Sequence, residues 1–188
     1  MILNTGAPFE LEQLVPSEVC LKCDICCRFP DSGTPLSPFF TAEEISALPP
    51  GALPEKSFRE RSGGKITLVP FPVGIESPGH QEGFICPAFD PSSQTCGIYS
   101  LRPFDCRLYP FMLMQIGDEV VLGKDSKCPY ITDPMNREKI DAYGERVVAL
   151  LRAPSWKVFI LKNRGLVGAD QEDVTTIGVL FSVKGKGL

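Results

Sequence analysis

Four cysteines of this 188-residue chain fall within eight residues, in a C-x-x-C-x-x-C-C run. They are Cys20, Cys23, Cys26 and Cys27. A C-x-x-C loop places two thiolates around one metal ion, and a third cysteine at the same interval extends the ligand set to a cluster. Thiols this dense rarely serve packing, so we expect a fold built around a metal or iron–sulfur centre.

The spacing of the run matches part of a known ligand pattern. Cys20, Cys23 and Cys26 stand at the intervals of the first three ligands in the bacterial ferredoxin run, whose last cysteine precedes a proline. Cys27 departs from that pattern. Side chains of adjacent residues usually point apart, so we expect Cys26 and Cys27 to serve two sites, or one site plus spare thiols.

The other four cysteines are dispersed over the following hundred residues: Cys86, Cys96, Cys106 and Cys128. Two of them precede a proline, in Cys86-Pro87 and Cys128-Pro129, and either is a candidate fourth ligand. Eight thiolates are enough for two four-thiolate centres. Zinc and iron–sulfur clusters both suit such ligands. The ferredoxin-like spacing favours a 4Fe-4S cluster, with zinc as the alternative.

Composition narrows the class of protein. Hydrophobic residues at 43% and charged residues at 22% are typical of a soluble globular protein. The net charge of −4, without a basic cluster, argues against nucleic-acid binding. No apolar stretch approaches the length of a membrane span, and the first residues lack a signal-peptide pattern. We therefore expect a cytoplasmic protein with reduced thiols, although the even cysteine count leaves a disulfide scaffold as the alternative.

Local patterns predict the elements before residue 123. A capping box from Thr41 to Glu44 predicts a helix over Glu43–Leu48. Alternation predicts a strand over Lys65–Val69, with Glu82–Cys86 as its partner. Apolar runs over residues 111–116 and 119–122 flank Gly117-Asp118, which predicts a hairpin.

The C-terminal part is predicted as a helix followed by strands. Asp133 is placed to cap a helix with Pro134 in its first turn. Its apolar face is Ile140, Tyr143, Val147 and Leu151, and Pro154 ends it. Trp156–Leu161 and Val174–Val183 are β-leaning and predict a terminal strand pair.

Together these patterns predict one α+β domain over residues 1–188, a small irregular metal-centred fold with short antiparallel strands and few helices. Its cysteine core is residues 17–130, followed by residues 131–188.

Residues 96–111 complete a specific signature, C-x-I-Y-x-x-R-P-x-x-C-R-x-Y-P-F. Together with the C-x-x-C-x-x-C-C run and Cys86-Pro87, it resembles the cysteine-cluster family of zinc- or iron-chelating domains over about residues 17–130. The resemblance implies metal ligation by all eight cysteines, in a structural or redox role. Flagellin lysine methylases resemble the family through the same signature, which supplies an enzyme alternative, cluster-dependent protein methyl transfer.

Two arginines flank Cys106 in this signature, Arg102 and Arg107. A guanidinium beside a thiolate cluster offsets its charge and donates hydrogen bonds to sulfur. The alternative is that Arg102 pairs with Asp105 or a glutamate to hold the loop. The expected partners are metal ions and, for an electron carrier, a protein redox partner, with no nucleic acid and no membrane. The sequence leaves open whether the protein is an enzyme.

Overall fold

The computed structural model describes residues 11–23, 25–34, 36–72 and 83–184. Within these residues the chain divides into two compact units. The first comprises residues 15–107, and the second comprises residues 11–14 and 108–184. The boundary after residue 107 precedes the predicted end of the cysteine core at residue 130. The single domain over residues 1–188 stays a prediction.

The first unit consists of short elements. Its helices are α1 (Ser17–Cys20), α2 (Ala42–Ala47) and α3 (Phe104–Leu108), and the unit ends within α3. Its strands are β1 (Arg28–Phe29), β2 (Phe39–Thr41), β3 (Phe58–Arg61), β4 (Gly64–Thr67), β5 (Val69–Pro70), β6 (Phe84–Ile85), β7 (Phe89–Asp90) and β8 (Thr95–Cys96). They pair in the orders β1-β6-β5, β2-β4-β3 and β7-β8, all antiparallel.

One local prediction for this unit is confirmed, and a second is correct only at one residue. Helix α2 begins at the expected capping box, in which the Glu44 N–H donates to the Thr41 hydroxyl and the Thr41 N–H donates to the Glu44 carboxylate. The predicted strand over Lys65–Val69 is divided: its first three residues lie in β4, which pairs with β2 and β3, and only Val69, in β5, meets the predicted partner, opposite Ile85. Glu82, the first residue of the predicted partner, lies outside the described residues.

The core of the first unit adjoins its cysteines. Buried apolar side chains from the three sheets and the loops between them form one cluster, which includes Cys86: Phe29, Phe40, Leu53, Leu68, Ile85, Cys86, Ala88, Phe89 and Ile98. Burial of this size supplies the main favourable free energy of folding. The thiol of Cys86 therefore lies at the edge of an apolar core.

The second unit is a four-stranded sheet with helices. Strands β9 (Phe111–Ile116) and β10 (Glu119–Asp125) form the predicted hairpin, and Gly117 in its turn has a φ of +57°. Strands β11 (Val167–Ala169) and β12 (Val174–Ser182) complete the order β11-β9-β10-β12, in which β11 runs parallel to β9. The unit's helices are α4 (Pro129–Thr132), α5 (Arg137–Leu151) and α6 (Pro154–Lys162). The few helices and short antiparallel sheets of the described chain confirm the α+β class.

One predicted strand is wrong. Trp156–Leu161 lies in helix α6, which has Pro154 in its first turn, so this proline begins a helix. Trp156, Phe159 and Ile160 are buried on one helical face. The apolar run has helical as well as β character, and packing decides for the helix. The other member of the predicted pair is a strand, β12, beside β10.

The predicted long helix is confirmed with a shifted start. Asp133 caps a 3-10 turn over Pro134–Asn136, and α5 follows it. All four residues of its predicted apolar face are buried. Among the described residues, no helix combines the length and apolar character needed to cross a membrane.

Candidate metal centre

Seven cysteines of the first unit line one cavity. They are Cys20, Cys23, Cys26, Cys27, Cys86, Cys96 and Cys106. The space between the atoms is about 580 Å³ and includes open solvent. Phe40, Phe89 and Ile98 form part of the apolar wall, while Tyr99 and Arg102 supply polar groups. We call this space the cysteine cavity.

The cysteine run enters the cavity through two turns. Cys20 ends α1, and the Cys23 N–H donates to the Cys20 carbonyl at 3.2 Å. Ile25–Cys27 then forms a 3-10 turn. The Cys26 and Cys27 thiols hydrogen-bond to each other and line the same cavity, so the expectation that they point apart is wrong. Successive side chains point to opposite faces of an extended strand, whereas in a 3-10 turn they are only about 120° apart. The turn therefore allows both thiols to reach the same cavity.

Strand pairing joins the run to Cys86. Strand β1 follows Cys27 directly, and β6 precedes Cys86 directly. The two strands are antiparallel, with Arg28 opposite Ile85. The Cys86 N–H donates to the Cys27 carbonyl at 2.8 Å and extends this ladder by one residue. The backbone, rather than the sulfur chemistry, places these two cysteines side by side.

A small hairpin places Cys96 near Cys86. Strand β7 pairs with β8 so that Phe89 lies opposite Cys96. The Phe89 N–H donates to the Cys86 carbonyl at 3.0 Å, and the Gly97 N–H donates to the Ala88 carbonyl at 2.8 Å. These bonds fold the chain back beside the cavity within ten residues.

Two carboxylates that the sequence analysis did not select position α3, which carries Cys106. The Phe104 N–H donates to Glu44 at 2.6 Å, and the Phe39 N–H donates to Asp105 at 3.0 Å. The capping box identifies Glu44 only as a helix cap, because its second bond spans sixty residues. Burial raises the pKa of Asp105 to about 6, opposed by the Phe39 N–H and by the charge of Arg61.

A match to a family model agrees with this cavity. The CxxCxxCC family, described as "Putative zinc- or iron-chelating domain", matches residues 19–139, more than half of the chain. The chain belongs to this family. No curated protein and no solved structure matched it. The description of the CxxCxxCC family names zinc or iron chelation and assigns no reaction, so methyl transfer stays a prediction.

Backbone N–H groups face two of the sulfurs that line the cysteine cavity. The N–H groups of Ala88 and Phe89 donate to the Cys86 sulfur, and that of Ile98 donates to Cys96. Such bonds favour the thiolate form. Their effect on the pKa is opposite to that of burial. Burial is the larger effect, and it raises the pKa of Cys86 to about 12 and also raises the pKa of Cys96.

Arg102 and Tyr99 contact Cys20, at the start of the CxxCxxCC run. The Arg102 Nη1 lies 3.5 Å from the Cys20 sulfur, and its Nε donates to the Tyr99 carbonyl at 3.0 Å. Its guanidinium also lies 3.7 Å from the centre of the Tyr99 ring. Burial and the charge of Cys26 raise the pKa of Cys20, while Arg102 and the Tyr99 side chain lower it. No sequence pattern singled out this contact of Tyr99.

Arg107 and Cys128 occupy different surroundings. The charge of Arg107 acts on Glu44, where it opposes the effect of burial on the carboxyl pKa. Cys128 belongs to the second unit, where it is 6% exposed and precedes Pro129 at the start of α4. A role for either residue at a metal centre of the CxxCxxCC type stays a prediction.

The thiols that line the cavity suit a zinc- or iron-chelating family by donor type. The eight cysteines, all of them among the described residues, form no disulfide. Among the described residues, no three His, Cys, Asp or Glu side chains form a ready-made group around a metal ion. A cysteine side chain has one torsion with three staggered positions, so a thiol on the cavity wall can turn toward a common centre without a change of backbone. Seven soft donors in one cavity fit thiophilic ions such as zinc or iron.

Proposed function

We propose that the first unit binds zinc or iron through the thiols of the cysteine cavity. The observation that carries the proposal is that cysteines far apart in sequence, such as Cys20 and Cys106, line the same space. Thiols gathered in this way are ligands for soft metal ions. Cys128 remains the eighth candidate ligand because of its Cys-Pro sequence.

Arg102 would stabilise the thiolate form at this centre. Its guanidinium lies 3.5 Å from the Cys20 sulfur and is held in place by the Tyr99 carbonyl and ring. A charge-assisted bond to sulfur is stronger than a neutral one. Arg107, in contrast, would act on Cys106 only by holding α3 through Glu44.

Two forms of the centre follow from the ligand set. The spacing of Cys20, Cys23 and Cys26 supports a 4Fe-4S cluster with a fourth cysteine, and thiolate ligands suit zinc equally. The centre would have a structural role, or a redox role with a protein partner if it contains iron. Much of the folding free energy would then come from metal binding, since ligation and folding are coupled.

The test is metal analysis of the full chain purified without oxygen, with zinc, iron and acid-labile sulfide measured together. We expect bound zinc, or iron with sulfide and a brown colour. Cys96→Ser should lower the bound metal, while the matched control Thr95→Ser in the same strand should not. A chain that contains neither metal and takes up neither from solution would contradict the proposal.

The structural role has its own measurement. A strong chelator should remove the metal and lower the thermal stability of the chain. An unchanged melting curve after verified metal loss would exclude a structural role and leave the redox role.

A further inference from the structure

We propose that Cys27 and Cys86 are a site of oxidative modification, at which hydrogen peroxide forms a disulfide that displaces zinc from the cysteine cavity. The inference rests on the zinc form of the proposed function and adds a reversible way to release the ion. It is carried by the strand register that places these two cysteines opposite each other.

The pairing of β1 with β6 leads directly to this cysteine pair. Arg28 lies opposite Ile85 in the antiparallel register. One step further along the same register, Cys27 lies opposite Cys86. The Cys86 N–H donates to the Cys27 carbonyl at 2.8 Å, so the ladder reaches this pair. Directly opposite residues point to the same face of a sheet, and both cysteines indeed line the cysteine cavity.

The spacing of such a pair suits a disulfide. Opposite residues joined by ladder hydrogen bonds have Cα atoms about 5.5 Å apart, within the range of roughly 4.4–6.8 Å found in disulfides. Their Cβ atoms lie about 4.5–5.5 Å apart, so they have to approach by at most about 1–2 Å. The Cys86 carbonyl accepts from the Phe89 N–H at 3.0 Å, which begins a turn at the end of the ladder. A pair at a ladder end can close this gap without displacing a whole strand.

The surroundings of the pair favour a neutral product. Cys86 belongs to the apolar core cluster of the first unit and is 6% exposed, and Cys27 packs against that cluster. Two thiolates in this position need the positive charge of a metal ion, because a buried charge without a partner is costly. A disulfide carries no charge and needs no ion. The same two sulfurs therefore fit this site either as zinc ligands or as a disulfide.

Two pairs within the cysteine run are less suited. Cys26 and Cys27 are adjacent, and adjacent Cα atoms are only about 3.8 Å apart, below the usual disulfide range. Cys20 and Cys23 are three residues apart in a turn, but the Cys20 sulfur contacts Arg102 at 3.5 Å. A disulfide at Cys20 would give up this charge-assisted contact.

The oxidation is balanced with hydrogen peroxide as the oxidant. Bound zinc keeps its ligand sulfurs deprotonated, so the thiolate that peroxide requires is present in spite of burial. Cys27, the more exposed of the two, attacks the peroxide, the O–O bond breaks, and a sulfenic acid and hydroxide form. The Cys86 sulfur then displaces a second hydroxide and forms the S–S bond. Two electrons pass from the sulfurs to the peroxide, two protons from solvent convert the hydroxides to water, and the zinc ion leaves.

The experiment adds one equivalent of hydrogen peroxide to the full chain loaded with zinc. A chromophoric chelator reports released zinc, while the remaining thiols are alkylated in denaturant and the unreduced peptides are mapped by tandem mass spectrometry. We expect loss of zinc in proportion to a peptide in which Cys27 is linked to Cys86. Reduction with a phosphine should restore zinc binding.

Variants check the assignment of the linked peptide. Cys27→Ser should lose this product, whereas the matched control Cys26→Ser, one residue away, should still form it. If Cys27→Ser does not fold, the fragment ions of the wild-type peptide decide between the two cysteines.

The outcomes separate this inference from the function on which it rests. The redox pair is refuted if the main disulfide joins other cysteines, such as Cys20 and Cys23, or if zinc stays bound after the disulfide has formed. It is also refuted if zinc leaves without a disulfide, if peroxide oxidises no thiol, or if the chain binds iron but not zinc. Each of these results leaves metal binding intact. A chain that binds neither metal refutes the proposed function itself.

Discussion

The carboxylate of Glu44 accepts a hydrogen bond of 2.6 Å from the backbone N–H of Phe104, sixty residues further along the chain. Its other oxygen accepts from the Thr41 N–H at 2.9 Å and completes the capping box of α2. One buried side chain thus caps a helix and holds the segment that carries Cys106. Its loss would leave two N–H groups without these acceptors.

Glu44→Ala should lower the free energy of unfolding by about 2–4 kcal/mol, because each buried N–H that loses its partner costs roughly 1–3 kcal/mol. Burial raises the pKa of Glu44, so the buried carboxylate carries a desolvation cost. The substitution removes that cost, and the loss of unfolding free energy should therefore lie near the lower end of this range. Glu44→Gln retains one acceptor oxygen and should cost less. Urea unfolding measures both. The exposed neighbour Glu43 gives the control, since Glu43→Ala should stay within about 0.5 kcal/mol. Equal effects at the two positions would contradict this role.

Arg102→Ala should weaken metal binding by about 10- to 100-fold, the usual effect of losing a group that supports a metal ligand. Arg102→Lys keeps the charge but loses the planar guanidinium that reaches both Tyr99 and Cys20, so its affinity should be intermediate. Competition with a chromophoric chelator measures the affinities. Arg59 in the same unit donates to the Ser32 carbonyl at 3.5 Å and is exposed. If Arg59→Ala weakens binding as much as Arg102→Ala, the contact with Cys20 is not responsible.

Gly64→Ala should destabilise the sheet of β2, β4 and β3. An added Cβ would lie 2.3 Å from the Phe40 carbonyl oxygen and 2.5 Å from the Phe39 ring, so the backbone of β2 would have to shift. Overpacking of this kind costs about 1–3 kcal/mol or more. The matched control is Gly97→Ala, whose nearest neighbour would be the Ala88 oxygen at 3.5 Å, an ordinary contact. Thermal unfolding should give Gly64→Ala a clearly lower melting temperature than Gly97→Ala. Similar melting temperatures would argue against the close approach of β2 to Gly64.

Stability at high pH should depend on Tyr143. Its hydroxyl donates to the Glu12 carbonyl, and burial, with the charge of Glu12, raises its pKa to about 12. An unfolded tyrosine loses its proton near pH 10, roughly its ordinary pKa. Between these two pH values the folded protein therefore keeps a proton that the unfolded chain has lost. The contribution of the hydroxyl to the free energy of unfolding is complete below about pH 10 and disappears as pH rises through about 12.

Comparison with Tyr143→Phe isolates this contribution from other titrating groups. The difference in unfolding free energy between wild type and variant should be constant up to about pH 10 and shrink above it. Denaturant unfolding at several pH values measures the difference. A difference that stays constant to pH 12 would show that the hydroxyl is not buried in this way.

Sequence patterns predicted those elements whose signals are local. The capping box at Thr41 and the turn at Gly117 each specify the backbone within a few residues, and both are present as predicted. Trp156–Leu161 was predicted as a strand because a short apolar run fits a buried strand or a buried helix equally well. Only the packing of Trp156 and Ile160 decides between the two.

The cavity itself was only partly predictable. Cysteine spacing indicated a shared centre, but no pattern in the sequence pairs Cys27 with Cys86, because that contact depends on a ladder between distant strands. The same holds for Glu44 and Asp105, whose partners Phe104 and Phe39 lie far away along the chain. No sequence pattern predicted the 3-10 turn that directs Cys26 and Cys27 into one space either.

The ladder between β1 and β6 has a consequence for the order of events during translation. A ribosome releases the C-x-x-C-x-x-C-C run long before it releases Cys86, and Cys106 emerges later still. Any centre assembled from all these thiols therefore has to wait until the nascent chain extends past Cys106. Ion insertion would complete the folding of this unit rather than start it.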